Sequence, residues 1–450
     1  MVEGDLVACS GCCWLIATAE FVITMPINGK VLSLSLESNS EVLASMLRDA
    51  KENDYINEIG FHAITFDEVV SSAFLELLRY NGRTWKTVEF VNCRGQIEHA
   101  LNLALSINRI QGLHLVRNIE RFNGYGTLGA GLGSSTSLQT LRLTSTVCRV
   151  DAILLSEGFA ASSILKNVDL RWSVFEEGSI ETFATLGLAR NKSLQSIDFF
   201  GCSLGDDELS FIFMALKGHP CLQFLTLNGN KCGERGSREV ADMLSAENCA
   251  LQKLDLSFQR LDDGKILDIS PLMEALTKNT SIETLDLTGN GLQDKDADRI
   301  ACVARHNTTI RELFLARNKF TDVGVTAIAR SLPRMEGLRK LSLWGNPFGE
   351  EGARQLLNGM VQNMELCDLH LFRQFKCSHQ IQYFTNINRG GRKLLQEPPN
   401  QVPMSLWPLV LERTNTMKMS ARRKDEENKS ARIDMLYCLL RGPVLFARGF

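Results

Sequence analysis

The stretch Leu341-Ser-Leu343-Trp-Gly-Asn346-Pro-Phe348-Gly-Glu-Glu-Gly352 decides the fold. With Leu338 before it, the apolar residues fall at L-x-x-L-x-L, and Asn346 and Phe348 continue the pattern as x-x-N-x-F. The same frame returns at Ile310/Leu313/Leu315/Asn318/Phe320 and at Ile282/Leu285/Leu287/Asn290/Leu292. One such unit cannot bury its apolar face alone, so successive units must stack.

Working outward, the first apolar position of the frame is traced at Val31, Ile56, Trp85, Ile110, Leu138, Leu165, Leu194, Leu222, Leu251, Ile282, Ile310, Leu338 and Leu366, thirteen turns with gaps of 25 to 31 residues. In the first four turns Val, Trp, Ile and Phe stand in for leucines. Units of this length hold a strand and a helix. Apolar pairs four residues apart, Ile212/Leu216, Val240/Leu244, Leu272/Leu276, Ile328/Leu332 and Leu356/Met360, put one helix face toward the sheet. Ser270-Pro271 reads as an N-cap with a proline at the first helical position. Gly324 and Gly352 read as tight turns at helix starts. The 31-residue unit at Leu251 predicts a bulge near 262–268.

Asn230, Asn290, Asn318 and Asn346 form a ladder, with Gln259 and Cys202 in the same place in other turns. An amide side chain both donates and accepts, so it can serve main-chain groups left open where strand becomes loop. The sequons Asn191-Lys-Ser, Asn279-Thr-Ser and Asn307-Thr-Thr each precede a strand and read as helix-ending turns, not glycosylation sites.

Residues 138–371 resemble ribonuclease-inhibitor-type leucine-rich repeats, on the L-x-x-L-x-L-x-x-N-x-L frame joined to G-x-x-x-L/I-x-x-x-L helices. The resemblance implies an α/β horseshoe solenoid with a parallel sheet on the concave wall and helices on the convex side. It implies protein binding. One branch of the family activates a small GTPase and carries a long acidic tail; another is the sensor arm of immune receptors with a nucleotide-binding domain. This sequence has neither a long acidic tail nor a G-x-x-x-x-G-K-S/T motif.

The chain has 450 residues, 44% hydrophobic and 22% charged, which suits a folded chain, and its net charge of −3 does not suit a general polyanion binder. The expected organisation is a cap over 1–30, one continuous solenoid over 31–387 and a basic segment over 388–450. That last segment has twelve basic and six acidic residues, +6 in all, leaving −9 for the remainder. It is expected to cover the open end at Leu366 with Trp407, Leu409, Leu411, Leu436, Tyr437, Leu440 and Leu445, using a helix over 432–440. The apolar run 6–25 is broken by Glu20 and lacks a basic flank, so no membrane span is expected. Met1-Val-Glu-Gly-Asp5 is acidic where a secretory signal is basic, so a cytoplasmic address is expected, with the nucleus as the alternative. The thirteen cysteines then read as reduced core thiols. Cys9, Cys12 and Cys13 form C-x-x-C-C with no second ligand pair, so no zinc is expected.

The seven histidines, His306 and His370 among them, fall in no H-E-x-x-H, and no G-x-S-x-G or kinase signature occurs. Gly124-Tyr-Gly-Thr-Leu-Gly-Ala-Gly-Leu-Gly133 contains G-x-G-x-x-G without the following Lys-Ser/Thr and reads as a flexible loop. No catalysis, cofactor or metal is expected. The functional reading is a protein-binding scaffold that recognises its partner on the concave face. Strand alternation places Trp172, Phe200, Phe224, Phe258, Phe314, Trp344 and Phe372 on that wall, with Arg171, Arg317 and Arg373 among them and Asp169, Asp198, Asp255 and Asp286 alongside. Aromatic rings next to arginine are the composition of interface hot spots. The alternatives are GTPase activation and nucleic-acid binding through the +6 segment, the latter marked by steep salt dependence.

Overall fold

The computed structural model describes residues 6–9, 13–18, 21–26, 31–36, 40–51, 53–116, 124–261 and 266–395. Two compact units are present: Met1–Lys231 with Ala246–Leu251, and Cys232–Ser245 with Gln252–Phe450. Both are built on the same turn, a short strand followed by a helix.

In the first unit the parallel strands Val31–Leu36, Glu58–His62, Thr87–Val91, Gly112–Val116, Thr140–Thr144, Asn167–Asp169, Ser196–Asp198 and Phe224–Thr226 pair in chain order. Register partners run Leu32, Ile59, Val88, Leu113, Leu141, Val168, Ile197, Leu225, all of them buried. The second unit does the same with Lys253–Asp255, Thr284–Asp286, Glu312–Phe314, Lys340–Ser342 and Asp368–His370, where Leu254, Leu285, Leu313, Leu341 and Leu369 are partners. The repeat frame is therefore the hydrogen-bond register of the sheet, and the architecture is that of leucine-rich repeats.

One turn of the frame needs correction. Leu32, not Leu34, is the partner of Ile59, so the first turn starts two residues before Val31. A shift of two leaves the same face inward, and both Leu32 and Leu34 are buried, so the apolar pattern cannot see it. Before this turn, Leu6–Cys9, Cys13–Thr18 and Phe21–Pro26 add three antiparallel strands to the edge at Val31–Leu36. The cap expected at 1–30 is thus sheet in its described part. The missing leucines of the early turns are replaced by a ring cluster, Phe61, Phe66, Phe74 and Phe90, with centroids 5.0 to 6.3 Å apart. Trp85 is wholly buried and donates from its indole to the Leu78 carbonyl at 3.4 Å.

The Gly124–Gly133 stretch is a helix, Tyr125–Ser134, and not a loop. Gly129 and Gly133 allow close approach to the next helix, Arg149–Ala161, and Gly131 to Leu105 of the preceding one. A Cβ on Gly129 would lie 2.1 Å from the Leu154 carbonyl oxygen, and one on Gly158 would lie 2.2 Å from that of Gly129. Gly129 and Gly158 thus serve helix packing. Gly324 and Gly352 also serve proximity, since they lie inside the helices Asp322–Ser331 and Glu350–Gln362. Their N–H groups donate to Asp294 and Asp322 of the preceding turn at 3.0 and 2.7 Å. Ser270 is the first residue of the helix Ser270–Leu276 and not its cap; its N–H donates to the Asp268 carboxylate at 2.9 Å.

The amide ladder forms as expected. Asn318 donates to the Leu287 and Leu315 carbonyls and accepts from the N–H groups of Asn290 and Leu292; Gln259 accepts from Cys232 N–H, and the Cys202 thiol donates to the Leu170 carbonyl. The sequon asparagines are buried corners at helix ends, with Asn191 fully enclosed. Nine described cysteines are free thiols; Cys93, Cys202 and Cys232 are buried, and Cys302 is exposed.

The last described helix is Ser378–Arg389, followed by a short helical turn, Arg392–Leu395. Arg392 is wholly buried and donates to the Met360, Val361 and Asn363 carbonyls at the end of the helix Glu350–Gln362. Burial lowers its pKa to about 10. Arg389 pairs with Asp368 and Lys393 with Glu365. Three cations of the basic segment thus contact the final turn. Of the bulge expected near 262–268, residues 262–265 lie outside the described residues, as do the expected capping residues from Trp407 to Leu445.

Candidate functional site

From the turn at Leu165 onward the strand covers positions three to five of the frame, and the chain bends at position eight. Ala63, Asn92, Trp172, Phe258 and Arg317 occupy position eight with φ between 52° and 61°, the left-handed region. Gly201, Gly229, Gly289 and Gly345 hold the same position in other turns, with φ between 68° and 76°. A bulky residue there costs about 1 kcal/mol, so surrounding contacts must compensate. They do: the side chain in one turn lies over the glycine of the next. A Cβ on Gly201 would be 2.7 Å from the Trp172 ring, one on Gly289 2.5 Å from the Phe258 ring, and one on Gly345 3.1 Å from Arg317 Cγ.

This geometry revises the placement of the aromatic residues. Only Phe224 and Phe314 sit on strands. Trp172, Phe200, Phe258, Trp344 and Phe372 lie past the strand ends, at positions seven and eight, because the strands stop after three residues and alternation stops with them. In the first unit Trp172 stacks edge-on to Phe200 at 4.7 Å. Phe224, at its strand's other end, is 40% exposed.

In the second unit a larger group forms. The Arg317 guanidinium lies over the Trp344 ring at 4.8 Å, and Trp344 meets Phe372 edge-on at 5.1 Å. Phe372 is 58% exposed. On the adjacent strands Lys340 Nζ sits 4.9 Å from the Phe314 ring. Arg373 does not join this group: its guanidinium donates to the Phe348 carbonyl at 2.7 Å and covers the Phe375 ring. Lys340 was not among the sequence candidates; the register sets it opposite Glu312, diagonal to Phe314.

The acids at position five serve their own turns. Asp169, Asp198, Asp255 and Asp286 each accept from the N–H two residues on, at 2.8 to 3.1 Å. Beyond that the units differ. Asp169 is paired by Arg171 at 2.6 Å and Arg142 at 3.3 Å, and Arg171 reaches Asp198 at 3.5 Å. Burial alone would raise the Asp169 carboxyl, but the Arg171 hydrogen bonds and the two arginine charges hold it below the usual range. Asp286 is raised instead, by burial and by the charge of Asp255, its register partner. Glu89 accepts from His114, which outweighs burial and keeps its carboxyl low.

Among the described residues no group of His, Cys, Asp and Glu is arranged to hold a metal, and no helix is long and apolar enough to cross a membrane. Two open cavities among the described residues lie between neighbouring helices. One, of about 450 Å³, is lined by Arg235, Arg238, Asp242, Glu274 and Lys278, with charges of both signs and no nucleophile–base pair.

A family model described as Leucine Rich repeat matches residues 278–301 and 306–329. The chain is similar to the ribonuclease inhibitor of Sus scrofa, at 27% identity over 53% of this chain and 52% of that protein. It is similar to NACHT, LRR and PYD domains-containing protein 5 of Bos taurus, at 26% over 51% of this chain and 20% of that one. The capping protein, Arp2/3 and myosin-I linker protein 3 of Homo sapiens matches at 28%, over 46% of this chain and 15% of its own length. The chain thus spans about half the length of the first of these relatives and less of the others.

Proposed function

We propose that this leucine-rich repeat protein, of the ribonuclease-inhibitor type, is a non-enzymatic scaffold that binds a protein partner on the open face of its sheet. The observation that carries the reading is the Arg317–Trp344–Phe372 group, with Phe314 and Lys340 beside it. Stacked, partly exposed rings with cations over them are pre-ordered contact area, which costs little entropy on binding. Two relatives support it through their names, one an inhibitor of ribonuclease and one a linker of capping protein, Arp2/3 and myosin-I. In the first unit Trp172, Phe200 and Phe224 form a lesser candidate surface, and in the second Phe258 is a lesser candidate beside the main group. The free, buried thiols suit a reducing compartment, so we place the protein in the cytoplasm. The nucleic-acid alternative is weakened because Arg389, Arg392 and Lys393 are engaged in the last turn.

The double variant Trp344→Ala with Phe314→Ala tests this reading. Each truncation of a hot spot costs roughly 2 kcal/mol or more, so the main protein captured from lysate by the wild type should be lost while the melting temperature holds. An unchanged set of captured proteins moves the site elsewhere on the molecule.

A further inference from the structure

Where a helix ends and the chain turns back to the next strand, an asparagine makes the corner in four turns: Asn191, Asn279, Asn307 and Asn363. Each Oδ1 accepts from the N–H groups two and three residues on, at 2.7 to 3.0 Å. Each Nδ2 donates to a carbonyl of the preceding turn, such as Phe159 for Asn191 and Leu276 for Asn307. Both halves of the amide are used, and neither titrates.

Between the helix Asp206–Leu216 and the strand Phe224–Thr226 the same corner belongs to His219. Its Nδ1 accepts from the N–H groups of Cys221 and Leu222 at 3.3 and 3.1 Å, the two bonds that Oδ1 accepts elsewhere. Two donors aimed at one nitrogen require it to be unprotonated, which places the ring proton on Nε2. Nε2 is buried with the Asn191 main chain as its polar neighbour, and the residue is only 4% exposed. The histidine therefore copies the accepting half of the amide with a group that titrates.

We propose that His219 is a proton-operated release point: protonating Nδ1 sets a donor against two donors and loosens the corner before the strand Phe224–Thr226. Among the described residues the charged group that acts on the ring is Lys192, from the corner of the preceding turn, and it disfavours a second positive charge; a hydrogen bond to the Asn191 main chain favours one. Burial first, then Lys192, pushes the His219 pKa from 6.5 down to about 4. The folded value is depressed for a base, so the unfolded chain takes up a proton below about 6.5 that the native chain refuses until about 4. Stability is complete above that window and falls as pH falls through it. At pH 5 the residue lowers the folding equilibrium roughly 30-fold relative to pH 8.

The test compares the full chain with its His219→Asn variant, following amide exchange at Cys221, Leu222 and the strand Phe224–Thr226 at pH 8 and pH 5, corrected for intrinsic rates. The wild type should lose roughly 30-fold more protection than the variant on acidification, the factor set by the same proton linkage. Equal losses in the two proteins overturn the proposal. Should the variant fail to fold at pH 8, ring titration of His219 in the wild type decides. A midpoint below 5 with Nδ1 unprotonated supports the release point, and one near 6.5 overturns it.

Discussion

The two units finish the same frame in different ways. In the first, the acids Asp169 and Asp198 on the open face are met by Arg142 and Arg171, and the helices Tyr125–Ser134 and Arg149–Ala161 meet glycine to glycine. In the second, Asp255 and Asp286 sit side by side in register, the rings of Trp344 and Phe372 stack under partial exposure, and acids such as Asp322 serve the first turn of the next helix. A wall whose charges are paired within itself has little left to offer a partner. A wall with Asp286 held against its charge and with ordered rings has interactions still to make, which is why the main part of the proposed site lies on the second unit.

The largest effect should come from the core that both units share. Leu285→Asp puts an unpaired charge between Leu254 and Leu313, and Ile197→Asp does the same between Val168 and Leu225. Each should cost about 4 kcal/mol or more and expose its own unit to proteolysis. A wild-type melting curve for either variant would break the idea that one frame supports both.

A smaller effect separates them. Gly158→Ala places a methyl 2.2 Å from the Gly129 carbonyl oxygen, which forces two helices of the first unit apart. A loss of about 1–3 kcal/mol is expected in chemical unfolding, as for other overpacked contacts. An unchanged midpoint would show that the helices meet less closely than described.

The smallest effect bears directly on the paired and unpaired acids. Asparagine keeps the hydrogen bond from the N–H two residues on, so Asp169→Asn and Asp286→Asn isolate the charge. Asp169 is depressed: its contribution is present above pH 3.8 and lost as pH falls through its lower folded value. At pH 7 Asp169→Asn should therefore cost about 1 kcal/mol. Asp286 is raised, so its charge opposes folding at pH 7 and stability is recovered as pH falls through its folded value. Asp286→Asn should be neutral or stabilising in the same melts. Equal losses in the two variants would erase the contrast.

The sequence alone determined the frame from Leu138 onward, the amide ladder and the corner role of Asn191, Asn279 and Asn307. These follow from periodic burial and from side chains that serve main-chain groups close by, and both are written locally. It also marked the aromatic residues of these turns as a set. Only the tertiary structure decided the rest. The two-residue shift of the first turn is silent in a pattern of period two, so pairing with Ile59 had to fix it. The Gly124–Gly133 helix is too glycine-rich to announce itself and is held by the helix Arg149–Ala161 beside it. Trp172, Phe258 and Arg317 take their left-handed conformation where a glycine about thirty residues further on leaves room for the side chain. Arg373 turns from the face to the Phe348 carbonyl, and Arg392 enters the core to reach three others. In each case the deciding partner lies one turn away in the stack, and stacking is what a periodic sequence requires without stating which side chains will meet.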